Sequence, residues 1–97
     1  MKKYYTIIGR KAVNQDSGNH CIGVDQLEHP ERDFLFKFED NTNIVISYSE
    51  ISSYIKNHPE VWRTGVHVKD EDGNVKWIPI PFILIPDEFI LSYNIAA

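Results

Sequence analysis

The stretch DFLFKFEDNTNIVIS, residues 33–47, carries the clearest pattern in this 97-residue chain. Phe34, Phe36 and Phe38 are spaced two apart, and side chains at that spacing share one face of a strand. The turn-rich DNTN follows them, and the β-branched IVI then returns as a partner strand. The stretch therefore predicts an antiparallel β-hairpin with one apolar face.

A helix is predicted immediately after this hairpin. Ser47 and Glu50 have the spacing of a capping box, with Ser47 as the N-cap. Ile51 and Ile55 follow at helical spacing, and Pro59 predicts that the helix ends shortly before it. Because a helix of about ten residues is marginal alone, we expect it to pack against the sheet.

Further strands are expected on both sides of this hairpin and helix. Residues 3–8 and 21–24 are predicted strands, and a second hairpin is predicted to turn at Asp72 and Gly73. In that hairpin one face is expected to hold Trp62, Thr64, Val66 and Val68, with Val75 and Trp77 across from them. Residues 89–95 (FILSYNI) are compatible with either a helix or a last strand.

The stretch 77–86 (WIPIPFILIP) combines strong strand formers with three prolines. Pro79 and Pro81 remove two backbone donors from one edge, so we interpret the stretch as one long edge strand protected against further pairing. Both of its faces are apolar. The second face therefore needs a cover, which the C-terminal segment of the chain, a second subunit or a foreign partner would provide.

These elements predict an α+β fold in a single domain spanning residues 1–97. The expected architecture is a mainly antiparallel, twisted sheet or partial barrel of about five to six strands with the capped helix packed on it. The single cysteine favours a cytoplasmic protein. No run is long enough for a membrane span, and the apolar run near the N-terminus is too short for a signal peptide.

Charge is distributed unevenly along the chain. Lys2, Lys3, Arg10 and Lys11 make the first eleven residues basic, whereas residues 12–97 carry a net charge of −8. The aromatic and basic start is a feature of single-strand binders, but the acidic remainder argues against nucleic acid and favours basic partners. An acidic surface that only keeps the protein in solution is the simpler alternative.

No catalytic, cofactor or metal site is predicted. The histidines lie on separate elements, and a Cys21 nucleophile would need a histidine that the sequence does not place beside it. Asp70, Asp72 and Asn74 have the spacing of the first calcium-loop ligands, but the glycine at 73 precedes the third ligand instead of following it. Hairpin-turn chemistry explains this segment better.

The leading functional hypothesis is a non-enzymatic, acidic protein-binding module that occludes a basic, nuclease-like partner. An immunity protein, an antitoxin or another small inhibitor fits this description. The predicted partner-binding residues are Glu39, Asp40, Trp62, Asp70, Glu71, Asp72, Trp77 and Phe82. The alternatives are a homodimer or other homo-oligomer that closes through the apolar edge 77–86, and an enzyme centred on Cys21.

Overall fold

The computed structural model describes residues 3–8 and 18–93. Within them the chain forms eight strands: β1 (Lys3–Ile8), β2 (Asn19–Gly23), β3 (Arg32–Lys37), β4 (Asn43–Ile46), β5 (Trp62–Arg63), β6 (Val66–Lys69), β7 (Val75–Ile78) and β8 (Phe82–Pro86). The helices are α1 (Tyr48–Asn57), α2 (Asp87–Leu91) and two 3-10 segments, Val24–Glu28 and Pro59–Val61. The strands form three mostly antiparallel sheets without a closed barrel in this part of the chain, which confirms the predicted α+β class.

The first sheet has the order β1-β3-β4 and contains the predicted hairpin. In the antiparallel β3–β4 pair Phe34 lies opposite Ile46 and Phe36 opposite Ile44, so the apolar faces of both strands point into the core. β1 adds to the other side of β3 in parallel. A parallel pair needs a crossover between its two strands. Here the chain passes through β2 and the first 3-10 helix before it reaches β3.

Helix α1 begins as predicted, with Ser47 as its N-cap. The Ser47 side chain accepts a hydrogen bond from the backbone N–H of Glu50 at 3.3 Å. The Asp33 carboxylate accepts a second bond, from the N–H of Tyr48 at 3.0 Å, which ties the start of the helix to β3. Ile51 and Ile55 are buried against the sheet, as their spacing predicts.

The prediction that residues 77–86 form one edge strand is wrong. The stretch divides into β7 and β8 at Pro79–Pro81, and β8 is the central strand of the second sheet, which has the order β2-β8-β5. No proline interrupts residues 82–85, so β8 can pair along both of its edges. These four residues are buried, so the chain itself covers this part of the apolar stretch. The division of the stretch, together with the separate β5, raises the number of strands above the expected five to six.

The predicted grouping of side chains on one face of the second hairpin is also wrong. The two strands pair one residue out of the expected register. In the β6–β7 sheet Val66 lies opposite Ile78 and Val68 opposite Lys76, whereas Trp77 lies opposite His67. A two-residue turn at Asp72 and Gly73 would put Val68 across from Trp77. The actual loop has three residues, and a shift of one residue moves every side chain to the other face.

The C-terminal segment, left open by the sequence, forms helix α2 as far as Leu91, and Ser92 and Tyr93 follow it as a turn. Pro86 precedes α2 as its N-cap, and Asp87 and Glu88 occupy the first turn. Ile90 is buried in the core, which brings together residues from both α-helices and from β1, β2, β3, β4 and β8. The buried cluster consists of Ile7, Ile22, Phe34, Phe36, Ile44, Ile46, Ile51, Ile55, Val61, Ile83, Ile85 and Ile90.

Candidate partner-binding surface

The β6–β7 hairpin is an accessible element of the described part of the chain. Its two strands form a sheet of their own, and no third described strand pairs with them. Side chains on both faces are exposed or half-buried. A two-stranded ribbon is marginal without packing. Here the packing lies at the base of the hairpin, where the indole of Trp77 covers the backbone of Gly65. The centroids of the Trp77 and His67 rings are 4.9 Å apart.

The tip of this hairpin is closed by hydrogen bonds and is acidic. The carboxylate of Asp70 accepts hydrogen bonds from the backbone N–H groups of Asp72 at 3.0 Å and Asn74 at 2.8 Å. Gly73 adopts a φ of +83°, which a three-residue hairpin loop requires at its last position. Asp70 is therefore a turn-forming group as well as a charge, whereas Glu71 and Asp72 are exposed to solvent.

The β3–β4 hairpin ends in a turn of the same construction. Phe38 and Thr42 close it through an N–H to carbonyl bond of 3.0 Å, as Asp70 and Asn74 do in the other hairpin at 2.9 Å. Asn41 takes the left-handed position with a φ of 67°. Hydrogen bonds from the side chain and the backbone N–H of Thr42 hold the pKa of Asp40 below its usual value. Each tip thus presents a Glu-Asp pair: Glu39 with Asp40, and Glu71 with Asp72.

The eight predicted binding residues do not form one continuous set. Four of them, Asp70, Glu71, Asp72 and Trp77, lie on the β6–β7 hairpin, and Glu39 and Asp40 lie at the tip of the β3–β4 hairpin. Trp62 belongs to β5 and, like Trp77, is exposed over about half of its surface. Phe82 is only 3% exposed, so it belongs to the interior and is not available to a partner.

Cys21 lines a cleft of about 290 Å³ between the sheets. The other lining residues are Thr6, Ile7, Ile8, Gly23, Gln26, Val66, Ile80 and Phe82. No histidine or carboxylate is among the described residues that line it. A cysteine nucleophile is activated by a base of this kind.

His20 is a buried polar group that the sequence did not single out. Its ring is 2% exposed, and its Nδ1 lies 2.7 Å from an Asp87 carboxylate oxygen. Its Nε2 lies 3.2 Å from the backbone carbonyl of Lys37, and the ring also contacts Phe36 and Phe38. His20 thus joins β2, the end of β3 and the start of α2. Its 67-residue separation from Asp87 left no signal in the sequence.

A row of aromatic rings between α1 and α2 was also missed. Tyr54 contacts His58 with ring centroids 4.1 Å apart and Phe89 with centroids 3.9 Å apart, and Phe89 contacts Tyr93 at 5.1 Å. The four-residue spacing of Tyr54 and His58, which brings two side chains together on a helix, was the available signal. The partners from α2 could not be assigned while that segment was open between helix and strand.

Comparison with known proteins identifies no relative: no protein family, curated protein or solved structure matches the chain. Among residues 3–8 and 18–93, no group of three or more histidine, cysteine, aspartate or glutamate side chains is placed to hold a metal ion. In the same residues, no helix has the length and apolar character needed to cross a membrane.

Proposed function

We propose that the protein is a non-enzymatic binding module that occludes a basic protein partner, in the manner of an inhibitor or immunity protein. The observation that carries this proposal is the β6–β7 hairpin, an accessible ribbon that combines an acidic tip with the exposed ring of Trp77. Aromatic anchors beside charged groups are typical of the residues that dominate protein interfaces.

The charge of the chain supports the same class of partner. Residues 12–97 carry a net charge of −8. Lys2, Arg10 and Lys11, which offset part of it, lie outside the described residues. A negative surface accelerates encounter with a basic partner and disfavours nucleic acid. In this proposal the carboxylates of the two tips take the place of nucleic-acid phosphates on a nuclease-like partner in the cytoplasm.

Affinity capture with matched baits tests this proposal. Wild-type protein, a tip variant Glu71→Gln/Asp72→Asn and a control variant Asp25→Asn/Glu28→Gln would be exposed to lysate of the source organism. The control removes the same charge from two exposed positions of the first 3-10 helix, Val24–Glu28. We expect a stoichiometric basic protein with wild type and control, and its loss with the tip variant or at high salt. Equal capture of that protein by all three baits would refute the role of the tip.

A homo-oligomer closing through residues 77–86 is the second candidate. The exposed Val75, Trp77 and Ile80 favour it, although residues 82–85 are buried within the chain and cannot contribute. Sedimentation equilibrium separates the two proposals. A dimer held by these side chains would resist salt and dissociate on Trp77→Ala or Ile80→Ser substitution, whereas a monomer at all concentrations would remove this candidate.

A further inference from the structure

The core-facing side of the β1–β3 pair reaches the protein surface at the start of both strands. The parallel register places Lys3 beside Arg32 and Tyr5 beside Phe34. Side chains two residues apart share a face, so Lys3 and Tyr5 lie on the side of β1 that buries Ile7, and Arg32 lies on the side of β3 that buries Phe34. Two basic side chains therefore lie next to each other where the apolar core ends.

An aromatic ring holds the guanidinium of Arg32 at this position. The Arg32 Cζ lies 5.0 Å from the centroid of the Tyr5 ring, the distance of a cation–π contact. Tyr5 is in turn packed on Phe34, with ring centroids 5.6 Å apart, and it contacts the buried core. The guanidinium is thus positioned by a ring that is itself fixed by the core.

The N–H groups of the Arg32 guanidinium have no hydrogen-bond partner in the described part of the chain. Its Nε is buried without one, and no described residue accepts a bond from its Nη groups. The neighbouring Asp33 points to the other face of β3, where its carboxylate accepts the N–H of Tyr48. Arg32 is half-buried, so part of its side chain remains accessible. It therefore has unused donors for an oxyanion.

His29 and Glu31 border this position from the turn before β3. The backbone N–H of Arg32 donates to the carbonyl of His29 at 3.1 Å, and the His29 ring lies 6.3 Å from the Tyr5 ring. The Glu31 carboxylate lies 3.3 Å from His29 Nδ1. A hydrogen bond within its own backbone is the main cause of the lowered pKa of Glu31, and the charges of His29 and Arg32 contribute. One carboxylate thus stands against the two cations Lys3 and Arg32.

We propose that Arg32 and Lys3, at the edge of the Tyr5 ring, bind a phosphate dianion, either inorganic phosphate or the phosphoryl group of a monoester. A tetrahedral dianion can accept bonds from the planar guanidinium fork and from the lysine ammonium at the same time. The site lies at the start of β3, whereas the Glu39–Asp40 tip follows the end of that strand. It does not depend on the basic partner proposed above.

The test is an NMR titration of the full chain with sodium phosphate, with sodium chloride at the same ionic strength as the control. The pH is held where phosphate is mainly dianionic. The Arg32 Nε–H is a direct reporter, because a buried N–H group is protected from exchange with water. We expect phosphate to shift this resonance together with those of Lys3 and Tyr5, and chloride to leave them unchanged.

Four variants separate the site from general charge effects. Arg32→Lys keeps the charge but loses the fork, and should weaken phosphate binding by at least about tenfold. Lys3→Gln, at an exposed position, should weaken it by roughly two- to fivefold, and Glu31→Gln should strengthen it by a similar factor. Lys56→Gln, which removes an exposed charge from α1, should bind phosphate like wild type. Circular dichroism checks that each variant is folded.

Equal shifts with phosphate and chloride would overturn the proposal, and so would an unchanged phosphate affinity in folded Arg32→Lys and Lys3→Gln. A titration with phenyl phosphate distinguishes the two sources of the dianion. Tighter binding than that of inorganic phosphate would support a monoester as the ligand, and equal or weaker binding would support the free dianion.

Discussion

Replacing Asp87 with alanine tests the hydrogen bond that joins α2 to the buried ring of His20. The bond is short, at 2.7 Å, and one of its partners is 2% exposed. Hydrogen bonds that involve a charged group contribute about 1.5–3 kcal/mol, and leaving a buried partner unsatisfied costs a similar amount. Asp87 itself is 30% exposed, so water can replace part of the interaction. We therefore expect Asp87→Ala to lower the free energy of unfolding by about 2 kcal/mol.

Urea denaturation followed by tryptophan fluorescence and circular dichroism measures this change. Asp87→Asn keeps an acceptor at the same position and should cost about 1 kcal/mol, as expected for a neutral hydrogen bond. Glu71→Gln, on an exposed loop, should stay within about 0.5 kcal/mol of wild type. A change below about 0.5 kcal/mol for Asp87→Ala would show that the bond does not hold α2 in place, and would refute this reasoning.

Three further predictions concern the turn, the core and the C-terminal contact. Gly73→Ala should destabilise the protein by about 1–2 kcal/mol in urea denaturation, because Gly73 holds a left-handed φ that disfavours a side chain. Ile83→Ala, on the central strand β8, should lower the free energy of unfolding by about 3–4 kcal/mol. Ile80→Ala, at an exposed position, should lower it by less than about 1 kcal/mol. Equal losses would contradict the assignment of β8 to the interior. The hydrogen bond to Glu50 raises the pKa of Tyr93 above 10.0, so its contribution to stability is present below pH 10 and is lost as the pH rises through the raised value. Tyr93→Phe should therefore weaken the alkaline loss of stability, as measured by unfolding at a series of pH values.

Local patterns predicted the central part of the fold well. Two-residue spacing of Phe34 and Phe36 identified the face of β3, and the Ser47–Glu50 spacing identified the start of α1. Both signals act over a few residues, where side-chain periodicity and capping depend little on the rest of the chain. The structure confirms them for that reason.

The errors arose where strand order and loop length decide the outcome. A run of apolar residues on both faces is equally compatible with a central strand and with an exposed edge, and only the positions of β2 and β5 on either side of β8 distinguish them. The register of β6–β7 depends on one more loop residue, Glu71, in addition to Asp72 and Gly73. The turn residues alone did not specify this longer loop. Phe82 became a predicted binding residue for the first reason and is instead buried.

The candidate surfaces show the same division between local and distant information. The Glu-Asp pairs of the two tips are visible in the sequence as turn residues, and the structure adds that both turns have the same hydrogen-bonding pattern. The contacts of His20 with Asp87 and of Tyr54 with Phe89 join residues that are far apart in the chain. Helix α2 brings them together, and no local pattern in the sequence indicates either contact.

The central claim is tested most directly by measuring how salt changes the affinity of the protein for the basic partner that affinity capture recovers. The dissociation constant would be measured by fluorescence anisotropy from low to high salt, for wild type and for Glu71→Gln/Asp72→Asn. The account predicts that wild-type affinity falls steeply with salt and that the tip variant binds at least about tenfold more weakly at low salt, with a shallower salt slope. An affinity indifferent to both salt and the tip substitutions would contradict it.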